Sequence, residues 1–381
     1  MITVSEKILE KDELEYMLLG VGILGTGGGG DPEFFGKPLI EWDLKKGREY
    51  RVISPDKVRD DAFIVSGGYA GSVTAYTSVG DMLQKWEKRF ELMEALKITE
   101  SLFNRRVDYV VPFELGGVNT PVMLSLAARV GILTIDGDGL GRAAPETQMS
   151  SFLGHGISLT PMTFVDKDGN VLIVKHSTNP TYPDEIMRLA LELNGRIGAN
   201  NHYPMNGKQL KESVIPNTIT FSIKLGKAVA DALSVKRDPI EAILEVTKGI
   251  KLFTGKVKEL SGSDVKAHYL ARAQLEGMGD FSGMTMEITF KNEAMIARIN
   301  KRAVAIFPDL ICMVNPKTGK GLMTANLKIG MNMTVIGIPA HERLRECLKN
   351  KVCKDAFSPK RFGVTDVEYE PIEILVKRAL R

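Results

Sequence analysis

The residues best equipped for chemistry lie between Ile132 and Glu146, in Ile-Leu-Thr-Ile-Asp-Gly-Asp-Gly-Leu-Gly-Arg-Ala-Ala-Pro-Glu. An apolar run ends at Ile135 and glycines follow at 137, 139 and 141, so a buried strand should open into a flexible turn. That turn carries Asp136, Asp138, Arg142 and Glu146. Ionised groups are costly to bury unpaired, so four of them at one strand end need partners. Either Arg142 pairs with a carboxylate and the rest face water, or the carboxylates move protons or hold a metal while Arg142 grips an anion.

Other segments add to the case for a site. In Gly25-Thr-Gly-Gly-Gly-Gly-Asp31 the glycines Gly27, Gly28, Gly29 and Gly30 free the backbone to approach a ligand and offer it N–H groups. No Gly-Lys-Ser/Thr follows and the spacing fits a dinucleotide fingerprint poorly, so no nucleotide is expected. A strand at 62–66 runs into Gly67-Gly68-Tyr69, and a strand at 107–111 delivers Pro112-Phe-Glu114-Leu-Gly-Gly-Val-Asn119. Glu114 is a candidate acid or base and Asn119 a candidate hydrogen-bonder, although each could instead cap the next helix. The five histidines form no His-x-His or His-x-x-x-His pair. His155 is nearest in sequence to the acidic cluster, which makes Asp138 and His155 the candidate ligands of a divalent metal, zinc or manganese.

Strands followed by glycine turns and helices recur through residue 150, the pattern of an α/β domain with a largely parallel sheet. Ligands in such folds bind outside the carboxyl ends of the strands. Segments 67–72, 112–119 and 136–146 should therefore meet along one rim. Helices are expected at 5–19 (capped by Ser5), around 82–96 and from Pro121 to Ala128. The stripe of Trp86, Phe90, Met93 and Leu96 reads as core. Beyond residue 160 a hairpin turns at Asp168-Gly169. Helices follow at 184–193, 217–234 and 238–248, the first capped by Asp184 and the last by Asp238. Short alternating strands dominate from Lys251 onward. The expected division is an N-terminal α/β domain, 1–160, and a C-terminal α+β domain rich in short strands, 161–381.

Composition narrows the partners. A chain of 381 residues is too long for one ordinary core. Its formal net charge of +3, without a basic cluster, argues against nucleic acid. No apolar stretch is long enough to span a bilayer, so no membrane partner is expected. Cys312, Cys347 and Cys353 match neither a disulfide framework nor a familiar zinc spacing, and the first residues lack a secretory pattern. Both point to the cytoplasm. The expected partner is a small-molecule substrate, with a homo-oligomer left open.

Several motifs together resemble one family. Gly25-Thr-Gly-Gly-Gly-Gly-Asp31-Pro, Glu114-x-Gly-Gly-x-Asn119 and Asp136-Gly-Asp-Gly-x-Gly-Arg142-Ala-x-Pro-Glu146 are similar to the S-methyl thiohydantoin desulfurase (S-Me-THD) family. Phe307-Pro-Asp-Leu-Ile311, Lys317-Thr-Gly319 and Arg361-Phe-Gly363 resemble its C-terminal domain. The resemblance implies a two-domain protein of hydantoin-type metabolism, whose best-understood activity removes sulfur hydrolytically from a thiohydantoin ring. Where the family usually has a bulky residue between Arg and Pro, this chain has Ala143-Ala144, which implies a reshaped pocket wall.

Hydrolysis of such a ring needs an activated water, a group facing the developing negative charge and a proton donor for the leaving group. Asp136, Asp138, Glu146 and Glu114 are the carboxylates available. A divalent metal would lower the pKa of its bound water, and Arg142 would hold an anionic group in its planar fork. Gly27 to Gly30, Asp31, Gly68 and Asn119 would complete the binding face. The contrasting expectation is a non-catalytic small-anion-binding protein, or an accessory subunit of a hydantoinase-type system.

Overall fold

Short runs of β-branched residues, each closed by glycine, proline or a polar turn, build the first sheet. The computed structural model describes residues 6–72 and 78–379, so the expected cap Ser5 lies outside the described residues. In the first half of the chain the strands are β1 (Glu6–Ile8), β2 (Arg51–Ile53), β3 (Phe63–Gly71), β4 (Tyr109–Pro112), β5 (Leu133–Ile135) and the short β6 (Gly137–Asp138). Then come β7 (Met162–Asp166), β8 (Val171–Val174), β9 (Ile197–Asn206) and β10 (Ile215–Pro216). The first sheet has the order β1-β2-β5-β4-β3-β9-β7-β8, and β6 pairs separately with β10. Its centre, β2-β5-β4-β3, is parallel, while β1, β9, β7 and β8 join antiparallel.

Parallel strands need cover on both faces, and these have it. On one face Val65 and Val110 pack with Leu92 and Val122 from helices Glu91–Phe103 and Asn119–Val130. On the other, Ile64, Val111 and Ile135 share a core with Met295, Ile296, Ile306 and Phe307 from the second half of the chain. The halves are thus welded through a common apolar interior.

The second sheet contains β11 (Ile250–Val265), β12 (His268–Gly277), β13 (Thr285–Lys291), β14 (Glu293–Ile299), β15 (Arg302–Ile306), β16 (Leu310–Val314) and β17 (Asn332–Ile338). They lie in the order β15-β14-β13-β12-β11-β17-β16, every pairing antiparallel. The molecule therefore has an N-terminal α/β part with a mixed sheet and a C-terminal part dominated by antiparallel strands.

The first sheet does not stop near residue 160, where the division was expected. The hairpin β7–β8 and strand β9 extend it to Asn206, because β9 pairs along the whole length of β3. Asn200, Asn201 and His202 are buried within β9, and their polarity hides the strand from an alternation test. The opening helix spans Lys11–Leu24, its start set by a capping box between Glu10 and Glu13. The helix expected at 82–96 is two, Val79–Trp86 and Glu91–Phe103, separated by extended Phe90. Asp238 caps helix Pro239–Thr247 as expected, whereas Asp184 lies inside helix Tyr182–Leu193. No helix among the described residues is long and apolar enough to cross a membrane.

One loop stitches the two parts together. Thr26 Oγ1 accepts from Met313 N at 3.2 Å, and Gly27 forms a parallel bridge with Met323. Two residues on, the Gly29 carbonyl accepts from Val118 N at 3.0 Å. The glycine run is held by the second part at its start and by the first at its end.

Candidate functional site

Between these anchors lies a cavity of about 60 Å³. Gly28–Gly30, the end of β3 (Gly68–Gly71) with Ser72 beyond it, and Glu114 with Asn119 after β4 form its first walls. Ala144–Thr147, Arg188 of helix Tyr182–Leu193, Asn200 and His202 of β9, and Asn292 with Glu293 complete it. Two of the three segments expected on one rim, 67–72 and 112–119, meet here, and the third reaches it only through Ala144, Pro145 and Glu146.

Two glycines in the loop leave room for their neighbours. A Cβ on Gly28 would meet the Glu293 carboxylate, which would have to swing aside from its present place. Gly30 has φ +86°, and a Cβ there would strike Val118. Among the described residues neither the Gly28 nor the Gly30 N–H has a backbone hydrogen-bond partner, and both glycines line the cavity.

Glu114 is buried, yet both its oxygens are held. Asn119 Nδ2 donates to Oε1 at 2.7 Å and Ala144 N donates to Oε2 at 2.6 Å. Asn119 is itself clamped to the backbone of β3, accepting from Tyr69 N at 2.8 Å and donating to Tyr69 O at 3.1 Å. It caps no helix; it positions Glu114. Burial raises the Glu114 pKa to about 7, and the Asp138 charge behind it pushes the same way. Small Ala144, standing in the stretch where a bulky residue was expected, brings its N–H against this carboxylate.

Glu293 comes from the second sheet. Strands β13 and β14 are joined by Asn292 alone, in the left-handed conformation at φ 57°, with Lys291 and Glu293 as cross-strand partners. Asn292 is pinned: its side chain accepts from Tyr269 N at 2.8 Å and its carbonyl accepts from Thr324 Oγ1 at 2.7 Å. Glu293 is only 2 % exposed, and its Oε2 has no hydrogen-bond partner among the described residues. Burial first, and then the Glu114 charge, push its pKa up to about 8. His202 is 1 % exposed, edge-on to Phe113 and Tyr203, with neither ring nitrogen partnered among the described residues, and burial lowers its pKa to about 3. Buried polar atoms without partners are rare in native proteins, so this cavity is built to receive something polar.

The cations nearby are already engaged. Arg188 donates to Pro145 O at 2.6 Å and Ala267 O at 2.9 Å. Glu146 lies at the cavity wall but is paired with Lys291 and with Arg361, whose Nε is 2.6 Å from Oε2, and this pairing holds its pKa low.

The remaining expected residues have other occupations. Asp136 accepts from Ile219 N at 3.0 Å and Thr220 N at 3.1 Å, capping helix Thr218–Ser234 outside the cavity. Replacing it with Ala should cost about 1–2 kcal/mol in urea denaturation while leaving turnover within about twofold, as loss of a cap does. Asp138 sits behind Glu114, accepting from Leu140 N and Gly141 N at 2.6 Å each. Arg142 reaches across to the second part, donating to Asp309 O at 2.7 Å and stacking on Phe307 at 4.4 Å. Asp31 caps the turn at Glu33 and Phe34, and Gly27 lies at the loop's outer end. His155 is exposed, against Ser151 O and Cys347 Sγ.

Asp138 and His155 therefore do not come together as metal ligands. Among the described residues one group has metal-like proximity, Glu146, Asp184 and His268, with ligand atoms within 4.8 Å of one another. It fits a divalent ion poorly. Glu146 holds Lys291 and Arg361, Asp184 accepts from Thr147 N and Oγ1, and His268 Nε2 lies 3.1 Å from the Pro145 carbonyl. Cations already occupy the place an ion would take.

Fold and cavity define a two-domain protein with buried carboxyls at the carboxyl ends of a parallel sheet, closed over by its second domain. Residues 12–176 match the family described as S-Me-THD-like, N-terminal domain, and residues 178–372 match S-Me-THD-like, C-terminal domain. The chain belongs to the S-Me-THD-like family. The crystal structure of a protein from Chromobacterium violaceum has the same fold, with a TM-score of 0.74, 21% identity, and coverage of 96% of this chain and 99% of that one. No curated protein matches this chain.

Proposed function

We propose that this protein is a hydrolase of five-membered hydantoin-like or thiohydantoin-like rings, in which water attacks a ring carbon and, in a thiohydantoin, replaces its sulfur. One observation carries the reading: Glu114 is buried against a small cavity with its pKa raised to about 7, where a carboxylate is both ionisable and basic. In its ionised form Glu114 takes a proton from water as the oxygen attacks the ring carbon. Asn119 and Ala144 N hold the carboxylate in place for that transfer. The N–H groups of Gly28 and Gly30 are the donors available to the negative charge that develops on sulfur.

Capture of a small anion without turnover is the contrasting reading. It is disfavoured because Arg188, Lys291 and Arg361 are spent on carbonyls and Glu146, leaving an anion no free cation among them. The three cysteines are free and buried, which supports a reducing, cytoplasmic setting. The test is sulfide release from thiohydantoin acids, measured across pH with and without a chelator. The rate should rise with pH as Glu114 loses its proton, with a midpoint near 7, and should survive chelation. Absence of sulfide at every pH would refute the reading, and a chelator-sensitive rate restored by zinc or manganese would return a metal to the chemistry.

A further inference from the structure

We propose that Glu293, carried into the cavity by the β13–β14 hairpin, is the proton donor to the departing sulfur. This rests on the hydrolase reading and adds to it a residue from the second domain. The geometry singles out this side chain. It is buried, it lies over the bare backbone of Gly28, and it lines the same cavity as Glu114. Its Oε2 has no partner among the described residues, whereas both oxygens of Glu114 are held. A carboxyl oxygen with no other partner is the better placed to meet the sulfur, and of the two carboxyls Glu293 has one.

The charged groups that act on Glu293 are Glu114 from the loop after β4, Arg142 from the turn after β6, and Arg188 from helix Tyr182–Leu193. Burial and the Glu114 charge outweigh the two cations, so an ionised Glu114 favours the protonated form of Glu293. Two interacting carboxyls of this kind divide the labour of base and acid.

The protons balance over one turnover. Water gives its first proton to ionised Glu114 as the carbon–oxygen bond forms, and the C=S electron pair moves to sulfur. Glu293 protonates that sulfur. As the carbon–sulfur bond breaks and C=O forms, the remaining hydroxyl proton returns to Glu293. Glu114 passes its proton to the leaving hydrosulfide. The products are the ring carbonyl and hydrogen sulfide, and both carboxyls are reset.

The experiment compares two leaving groups in the full-length protein. A thiohydantoin releases sulfide and needs the proton. An S-(nitrophenyl) isothiohydantoin releases an arylthiolate that is stable without one. Glu293→Gln should lower the first rate by ~10²–10³-fold while leaving the second within about threefold. It should also abolish the alkaline fall in the pH profile, which in the wild type lies near 8. Glu293→Asp, which keeps a carboxyl, should recover part of the sulfide rate, and this separates a lost proton from a disturbed fold. Equal losses on both substrates, or no loss on either, would overturn the role of Glu293 while leaving the hydrolase reading standing. A wild type inert toward both substrates would instead sink that reading, and this role with it.

Discussion

Glu114→Gln should abolish nearly all sulfide release, by ~10³-fold, with little change in stability. The amide keeps the length and shape of the side chain and can still accept from Ala144 N. It cannot take a proton from water near neutrality. One of the two hydrogen bonds, to Asn119 Nδ2 or to Ala144 N, will be disturbed, at a cost of about 1–3 kcal/mol. Removing an ionisable group from a buried position offsets that cost, since burial is what raises its pKa. Matched urea curves with a collapsed rate would place the effect in the chemistry. A variant retaining more than about a tenth of the wild-type rate would remove Glu114 from the role of base, because general-base catalysis contributes more than that.

The largest stability loss is expected at Arg142. This guanidinium is 3 % exposed and donates to Ala143 O, Pro308 O and Asp309 O at 2.9, 3.2 and 2.7 Å. It also stacks on Phe307. Truncation to Ala leaves buried carbonyls unsatisfied, removes the cation–π contact and opens a void between the two halves. We expect about 3–5 kcal/mol in urea denaturation. Lys should rescue only part of this, because one ammonium cannot reproduce a planar fork reaching several carbonyls. A change below about 1 kcal/mol would show that Arg142 does not tie the halves together.

Much of the site's first-domain wall could be read from residues alone, for a specific reason. Glu114, Asn119 and Gly28 to Gly30 follow a strand or fill a glycine turn, and parallel sheets place such segments on one edge; the glycine turn expected at Gly67-Gly68 is instead part of β3. Asp136, Asp138 and Arg142 share those surface signs, since a carboxylate capping a distant helix looks in sequence like one facing a ligand. Only the placement of Thr218–Ser234 and Phe307 separates the two cases. Glu293 and His202 were out of reach for the opposite reason. Glu293 follows the polar pair Lys291-Asn292 with no motif to set it apart, and His202 sits among asparagines in a strand without alternation. His202 acquires its place from a long-range pairing, β9 with β3, and Glu293 from the seating of a local hairpin against the distant glycine loop. The one legible hint was the run Ala294-Met-Ile-Ala297 directly after Glu293, too apolar for a hairpin tip exposed to water.

The hairpin that inserts Glu293 beside the glycine loop also bears on how this lineage can change. Gly28 and Glu293 are separated by most of the chain, yet the space for one is made by the absence of a side chain on the other. A recombinant joining an unrelated second half to this first half would inherit an empty slot, and the reverse graft would meet a side chain where it needs none. Across related genes a side chain at position 28 should therefore go with a change at position 293 or with a Glu293 carboxylate turned out of the cavity.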